Sequence, residues 1–201
     1  MRKSLRVLLG RLLIGVYTKG NSIVTACRLE ELRARFGSLG PNAQISCDLQ
    51  VNFADRVAIG DWVYIGPNVR IYGWGGLDIA DHVVIGPDVT IMTSMHNFRQ
   101  ARFVPYDEVE LLKRVRIGAA CWLGLGVIVL PGVELGRGCI VGAGSVVTKS
   151  FADGIIVAGN PAKPIGARDM EQFEKHLVSD AVYLKHKTTE RLQKVQARVG
   201  E

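Results

Sequence analysis

Over residues 117–147 an aliphatic residue returns at every sixth position: Ile117, Leu123, Val129, Leu135, Val141 and Val147. Glycine follows four of these, at 118, 124, 136 and 142. Small or β-branched residues, namely Cys121, Val127, Val133, Cys139 and Ser145, stand two places before the next aliphatic position. A six-residue period smears around a helix, which repeats about every 3.6 residues, but it is a multiple of the strand period. Val127 and Val129 therefore point to one side of a strand, and Ile128 between them points to the other. Glycine after such a pair suits a turn. Strand and turn, repeated, predict a parallel β-helix whose interior is filled by aliphatic ladders. With three hexads per triangular coil, Ile117 stacks under Leu135, Leu123 under Val141 and Val129 under Val147, about 4.8 Å apart.

The same ladder begins near Leu39 and runs through Ile45 and Val51, then Ile59, Ile65 and Ile71, then Ile79, Ile85 and Ile91. Slips at 53–57 and 73–78 separate these coils, the second holding Trp74 between glycines. After Ile91 the period breaks until Ile117. The interruption, 97–116, is polar and mixed, with Pro105 and several charges. A long loop in a regular solenoid is usually functional or disordered. The ladders keep register only if this loop is extruded sideways, which leaves His96 at its base. Ile155–Val157 predicts a last strand. Ahead of the coils, Leu5, Leu8, Leu9, Leu12, Leu13 and Val16 recur at helical spacing beside Arg2, Lys3, Arg6 and Arg11. They predict a basic amphipathic helix that packs on protein or lies on a membrane surface. A second helical stretch, Glu30–Phe36, would plug the first coil. Past Arg168 the chain is charged and helical, with Met170, Phe173, Leu177, Leu184, Leu192 and Val195 apolar. The expected organisation is an N-terminal helical segment over 1–38, a β-helix over 39–166 and a C-terminal helical tail over 167–201.

The hexads, the run IGPDVTIMTSMH (Ile85–His96), the Trp122-Leu123-Gly124 triplet and the tail Ala158-Gly159-Asn160-Pro161-Ala162-Lys163 together carry a resemblance. Over about residues 40–168 the chain resembles the left-handed β-helix, hexapeptide-repeat acyltransferases, in particular their sugar and polysaccharide O-acetyltransferase branch. The resemblance implies a left-handed coil, an exception to the right-handed rule for parallel crossovers. It implies acetyl-CoA as co-substrate, direct transfer with no acyl-enzyme, and no metal. His96 would be the general base and the main-chain N–H of Leu125 the oxyanion donor, at a position where relatives often have serine. Coenzyme A would lie between two subunits against Trp122, Gly124, Leu125, Ala143, Thr148, Lys149 and Lys163. A second basic position of the tail motif falls on Gly166, with Arg168 as its substitute. The Asn and Asp that hold sugar in galactoside-type members fall on Gly66 and Trp74, which argues against a simple galactoside acceptor. Trp74 would offer a flat face to a sugar ring, and Asn97, beside His96, joins it on the acceptor side. Flat β-helix faces and the extruded loop predict a homotrimer, with the loop lying against the neighbouring subunit.

Composition narrows the partners. The chain has 201 residues, 48% of them hydrophobic, enough for one sizeable core with appendages. A net charge of +6 and a pI near 9.3 favour an anionic partner. The basic residues form no stripe interleaved with aromatics, which disfavours nucleic acid. The phosphates of coenzyme A or an acidic membrane surface fit instead. Cys27, Cys47, Cys121 and Cys139 lack C-x-x-C spacing, and the last two stack as small core residues. His82, His176 and His186 are read as structural. No run reaches membrane-spanning length and no signal cleavage pattern follows Val16, so the expected location is cytoplasmic, at the inner membrane face if the first helix binds lipid. Two alternatives remain at this stage: N-acetylation of an amino-sugar nucleotide or acetylation of an antibiotic, and a non-catalytic β-helix scaffold.

Overall fold

A computed structural model describes residues 26–190. The helical pattern of Leu5–Val16 and the apolar positions Leu192 and Val195 lie outside the described residues. The chain divides into two units, Met1–Arg35 and Phe36–Glu201. In the first, residues 26–34 form a helix, α1.

The second unit is a left-handed parallel β-helix of about six turns. Its first sheet stacks Ser38–Leu39, Val57–Ile59, Leu77–Ile79, Val115–Ile117 and Glu134–Leu135. The second stacks Gln44–Ile45, Tyr64–Ile65, Val84–Ile85, Trp122–Leu123, Ile140–Val141 and Ile155–Ala158. The third stacks Gln50–Asn52, Arg70–Tyr72, Thr90–Met92, Ile128–Val129 and Val146–Val147. The three pairings expected from the hexads are present: Ile117 with Leu135, Leu123 with Val141 and Val129 with Val147. Inward ladders such as Ile65–Ile85–Leu123–Val141–Val157 are fully buried. Each buried aliphatic side chain contributes roughly 1.5–3 kcal/mol of transfer free energy. Cys121 and Cys139 sit inside as free thiols, each donating to a main-chain carbonyl at 3.0 Å. The neighbouring Cys139 and burial hold the Cys121 thiol far above its ordinary pKa, so it stays protonated.

All three breaks in the period fall at one corner, between the third and first sheets. There the first coil makes a short 3₁₀ turn, Ala54–Arg56, and the second a glycine-rich bulge at 73–76. In the third coil an antiparallel hairpin leaves the prism, Ser94–His96 pairing with Glu110–Leu112. Buried Thr93 fastens its base. Its hydroxyl donates to the Tyr72 carbonyl and accepts from the Gly75 N–H, both at 2.7 Å, and its carbonyl accepts from Lys113 at 2.8 Å. The extra residues thus accumulate outside the ladders, and the core keeps its register.

The tail closes the far end. Phe151 exchanges main-chain bonds with Glu134 and Gly136 on the first sheet. Lys163–Ala167 turns back antiparallel on Ile155–Ala158 to finish the second, a strand that the sequence pattern did not announce. Gly159 and Ala162 take the edge of Val146 on the third. Two helices follow, α2 (Met170–Val178) and α3 (Tyr183–Thr189). Asp169 caps α2 by accepting from the Gln172 N–H at 3.0 Å. Both helices pack on the second sheet of their own chain. Phe173 fills the space that a Cβ on Gly138 would occupy, and the Gln44 side-chain amide donates to the Thr188 hydroxyl at 3.0 Å.

Candidate active site

The hairpin sets the surroundings of His96. Register places His96 opposite Glu110, and Nδ1 of the imidazole lies 2.6 Å from the Glu110 carboxylate. An ionised carboxylate is an obligate acceptor, so Nδ1 is the donor, and in the neutral imidazole this tautomer leaves the lone pair on Nε2. No partner of Nε2 is present among the described residues. The His96 side chain is 54% exposed and that of Glu110 only 20%. Tyr106 stacks on the imidazole with centroids 4.0 Å apart and planes within 5°. Next to each ring the backbone is clamped. The Asn97 amide donates to both Asp107 carboxylate oxygens at 3.1–3.2 Å, the Asn97 N–H donates to the Val109 carbonyl at 2.9 Å, and the Arg102 and Val109 N–H groups also donate to Asp107. Burial pushes the Asp107 carboxyl up, but the N–H donors of Val109 and Arg102 and the Asn97 amide outweigh it and hold the pKa below the ordinary value. The Asn97 side chain, expected on the acceptor side, is thus turned to Asp107. The hairpin bares apolar side chains among its polar ones, with Val104 96% and Phe103 63% exposed.

Trp74 sits at the same corner, one coil below. Its ring stacks on Phe53 at 5.3 Å, and Arg56 donates to its carbonyl at 2.8 Å, so one of its two faces is already covered.

A second constellation lies at the corner between the second and third sheets. Pro67, Pro87, Leu125, Ala143 and Gly159 occupy equivalent places on successive coils. The Pro67 carbonyl accepts from Asp88, that of Pro87 from Gly126 and that of Leu125 from Gly144, at 2.8–2.9 Å. The residue after each of the first four turns left-handed, with φ between 56° and 68° at Asn68, Asp88, Gly126 and Gly144. Proline has no N–H to offer. Above the two prolines the first free amide of the column is therefore Leu125, and the next is Ala143. Neither donates to any partner among the described residues. Two glycines keep these amides bare: a Cβ on Gly86 would lie 3.0 Å from the Leu125 nitrogen, and one on Gly124 2.7 Å from that of Ala143. Exposed Lys163 pairs with Ala158, just before the column's last member. Trp122, 52% exposed, projects from the adjoining strand and borders a cavity of about 580 Å³ under α2 and α3, lined also by Val84, Phe173, Leu177 and Val182.

The structure therefore gathers Gly124, Leu125, Ala143 and Lys163 along one edge, with Trp122 on the adjoining face of the second sheet, where it lines one cavity together with Arg168. Thr148 and Lys149 follow the third sheet to the next corner, where the Lys149 ammonium lies 5.7 Å from the Phe151 ring centre. Arg168 goes to the opposite edge of the second sheet, because the antiparallel strand separates it from Lys163. Its Nε donates to the Gly138 carbonyl at 2.6 Å and its guanidinium lies over Phe173. His96 and Leu125 stand at opposite edges of the third sheet. Glu110, Tyr106 and Asp107 were not anticipated from sequence; the one signal was an acidic residue that hairpin pairing would bring level with His96. Among the described residues no three His, Cys, Asp or Glu side chains are grouped as metal ligands.

A family model described as a hexapeptide repeat of succinyl-transferase matches residues 114–149. The chain is 35% identical over 138 residues to a galactoside O-acetyltransferase of Lactococcus lactis, an alignment covering 67% of this chain and 64% of that relative's own length. It is 32% identical over 137 residues to a putative colanic acid biosynthesis acetyltransferase, WcaF, of Escherichia coli, covering 68% and 72%. A hexapeptide-repeat acetyltransferase from Vibrio cholerae, solved with acetyl coenzyme A, superposes with a TM-score of 0.66 at 29% identity, covering 71% of this chain and 76% of that one.

Proposed function

We infer the function from one premise: the chain belongs to the hexapeptide-repeat acetyltransferases, in their sugar O-acetyltransferase branch. On this reading it transfers an acetyl group from acetyl-CoA to a hydroxyl of a sugar or a cell-surface polysaccharide precursor. The observation that carries it is the imidazole of His96, held at Nδ1 by Glu110 and open at Nε2.

A sugar hydroxyl is a weak nucleophile at neutral pH, whereas a thioester carbonyl is already activated. Nε2 of His96 takes the hydroxyl proton as the new C–O bond forms, and Glu110 stabilises the imidazolium. The Leu125 N–H receives the charge that gathers on the carbonyl oxygen. When the C–S bond breaks, His96 returns the proton to the departing thiolate. The bare edge of Gly124, Leu125 and Ala143 suits an extended amide-bearing arm, with Trp122 beside it and Lys163 toward the phosphates.

Two observations support an assembly in which this centre forms between copies. The base and the amide donor occupy opposite edges of one chain, and the hairpin bares Phe103 and Val104. A cyclic homotrimer with the hairpin on the neighbour's amide edge satisfies both; light scattering that gives a monomer at micromolar concentration refutes it. Among the described residues no helix is long and apolar enough to cross a membrane. The basic N-terminal stretch with Arg2, Lys3, Arg6 and Arg11 supports peripheral contact with an anionic membrane at its cytoplasmic face. Activity is tested by thiol release from acetyl-CoA with a panel of sugars and glycosides. An O-acetyl product is cleaved by hydroxylamine; a resistant amide would favour N-acetylation. His96→Ala should lower kcat by about 10²–10⁴-fold, and a wild-type rate refutes the scheme.

A further inference from the structure

We propose that Tyr106 is a positioning residue for His96, its ring acting as a plate that fixes the plane of the imidazole. The inference rests on the reading of His96 as the base. His96 hangs on a two-stranded ribbon, an element of marginal stability by itself. Its side chain is more than half exposed, and the last torsion of a histidine is a soft, broad one. Glu110 fixes one atom, Nδ1, at 2.6 Å. A single hydrogen bond still lets the ring swing about the line joining the two groups. Parallel stacking at 4.0 Å and 5° removes that swing. The clamp between Asn97 and Asp107 holds the overlap, because these are the residues directly after His96 and Tyr106. With the Nδ1 edge closed by Glu110 and one face closed by Tyr106, the acceptor hydroxyl reaches the base along the Nε2 edge. The stacked ring does this work; the phenol oxygen takes no part.

The test is a double-mutant cycle assayed with acetyl-CoA and 4-nitrophenyl glycosides. Stacked aromatic pairs are worth enough that Tyr106→Leu should lower kcat about 2- to 12-fold, with KM for acetyl-CoA unchanged, while Tyr106→Phe restores the rate. In a His96→Ala background Tyr106→Leu should cost nothing further, because a residue acting through His96 has nothing left to act on. Imidazole proton spectra give an independent readout: the ring-current shift of His96 should persist with phenylalanine and vanish with leucine. Three results would overturn the proposal. One is a leucine variant at wild-type rate whose ring-current shift is gone. Another is an equal loss with and without His96, the mark of a merely structural role. The third is a folded Tyr106→Phe enzyme as slow as Tyr106→Leu, which also decides the matter if the leucine variant does not fold. Wild-type turnover in His96→Ala alone is a different failure, that of the base assignment.

Discussion

On the proposed mechanism, replacing Leu125 by proline deletes one N–H and nothing else that the reaction uses. Proline in a turn often damages the fold, but this corner has already accepted it twice. Pro67 and Pro87 occupy the same place on the two coils below, each after a glycine and each followed by a left-handed residue. Gly124 and Gly126 supply that context for residue 125, and the carbonyl of residue 125 still accepts from Gly144 as that of Pro87 accepts from Gly126. Since the Leu125 N–H has no partner among the described residues, its loss breaks no hydrogen bond to them. Leu125 is 56% exposed, so losing its side chain sacrifices little burial. The melting temperature should therefore move little. Removing one oxyanion donor lowers kcat by about 10²–10³-fold, or roughly 2.7–4 kcal/mol. Leu125→Ser keeps the N–H and should keep most of the rate. Stopped-time thiol release gives kcat, calorimetry with coenzyme A gives affinity, and light scattering with thermal melting gives assembly and folding. A folded Leu125→Pro enzyme within a few-fold of wild type refutes the amide assignment. So does a serine variant as slow as the proline one.

The hydrogen bond between His96 and Glu110 is charge-assisted but half in solvent, so Glu110→Ala should cost about 1–2 kcal/mol, or 5- to 30-fold in kcat, with Glu110→Gln between it and wild type; an effect confined to KM would contradict the orienting role. Lys163→Glu should weaken coenzyme A binding at low ionic strength and less at high salt, where attraction is screened; unchanged calorimetric affinity at low salt removes Lys163 from the site. Because the folded pKa of Asp107 is depressed, its contribution to the hairpin is complete above the ordinary carboxylate range and is lost as pH falls through the folded value. Exchange protection of the Arg102 and Val109 amides should fall over that acid range and be insensitive to it in Asp107→Asn; matching acid profiles would contradict this.

The coils were legible because a six-residue period has one mechanical solution, and each inward position is filled by a residue that announces itself as apolar. His96, the proposed base, is singled out in the sequence by its motif and by the loop that begins after it. Glu110 and Tyr106 were not, since Ser94–His96 and Glu110–Leu112 are three-residue strands joined by a long connection without a turn dipeptide. Nothing in such a stretch encodes register; only the hairpin brings residue 110 level with residue 96. A bare amide leaves no mark in sequence either, yet the alternation of Pro67, Pro87, Leu125 and Ala143 at one corner reveals it once the coils are aligned. The tail concealed its geometry for a different reason. Read as a straight run, Lys163 and Arg168 are neighbours, but as an antiparallel strand they stand at its two ends.

A stack of identical coils has no intrinsic length: each new turn presents the edge that the next turn, or another molecule, would use. Here the chain terminates itself. Phe151, the stretch 159–162 and the reversed strand Lys163–Ala167 occupy the last edge of all three sheets. The reversal matters most, because a strand running the opposite way offers the wrong template to an incoming parallel coil. The segment that carries Lys163 is thus also the stopper against end-to-end fibre growth. Trimming the chain for expression at Asn160 would remove both at once, and the loss would surface first as insolubility rather than as weakened binding.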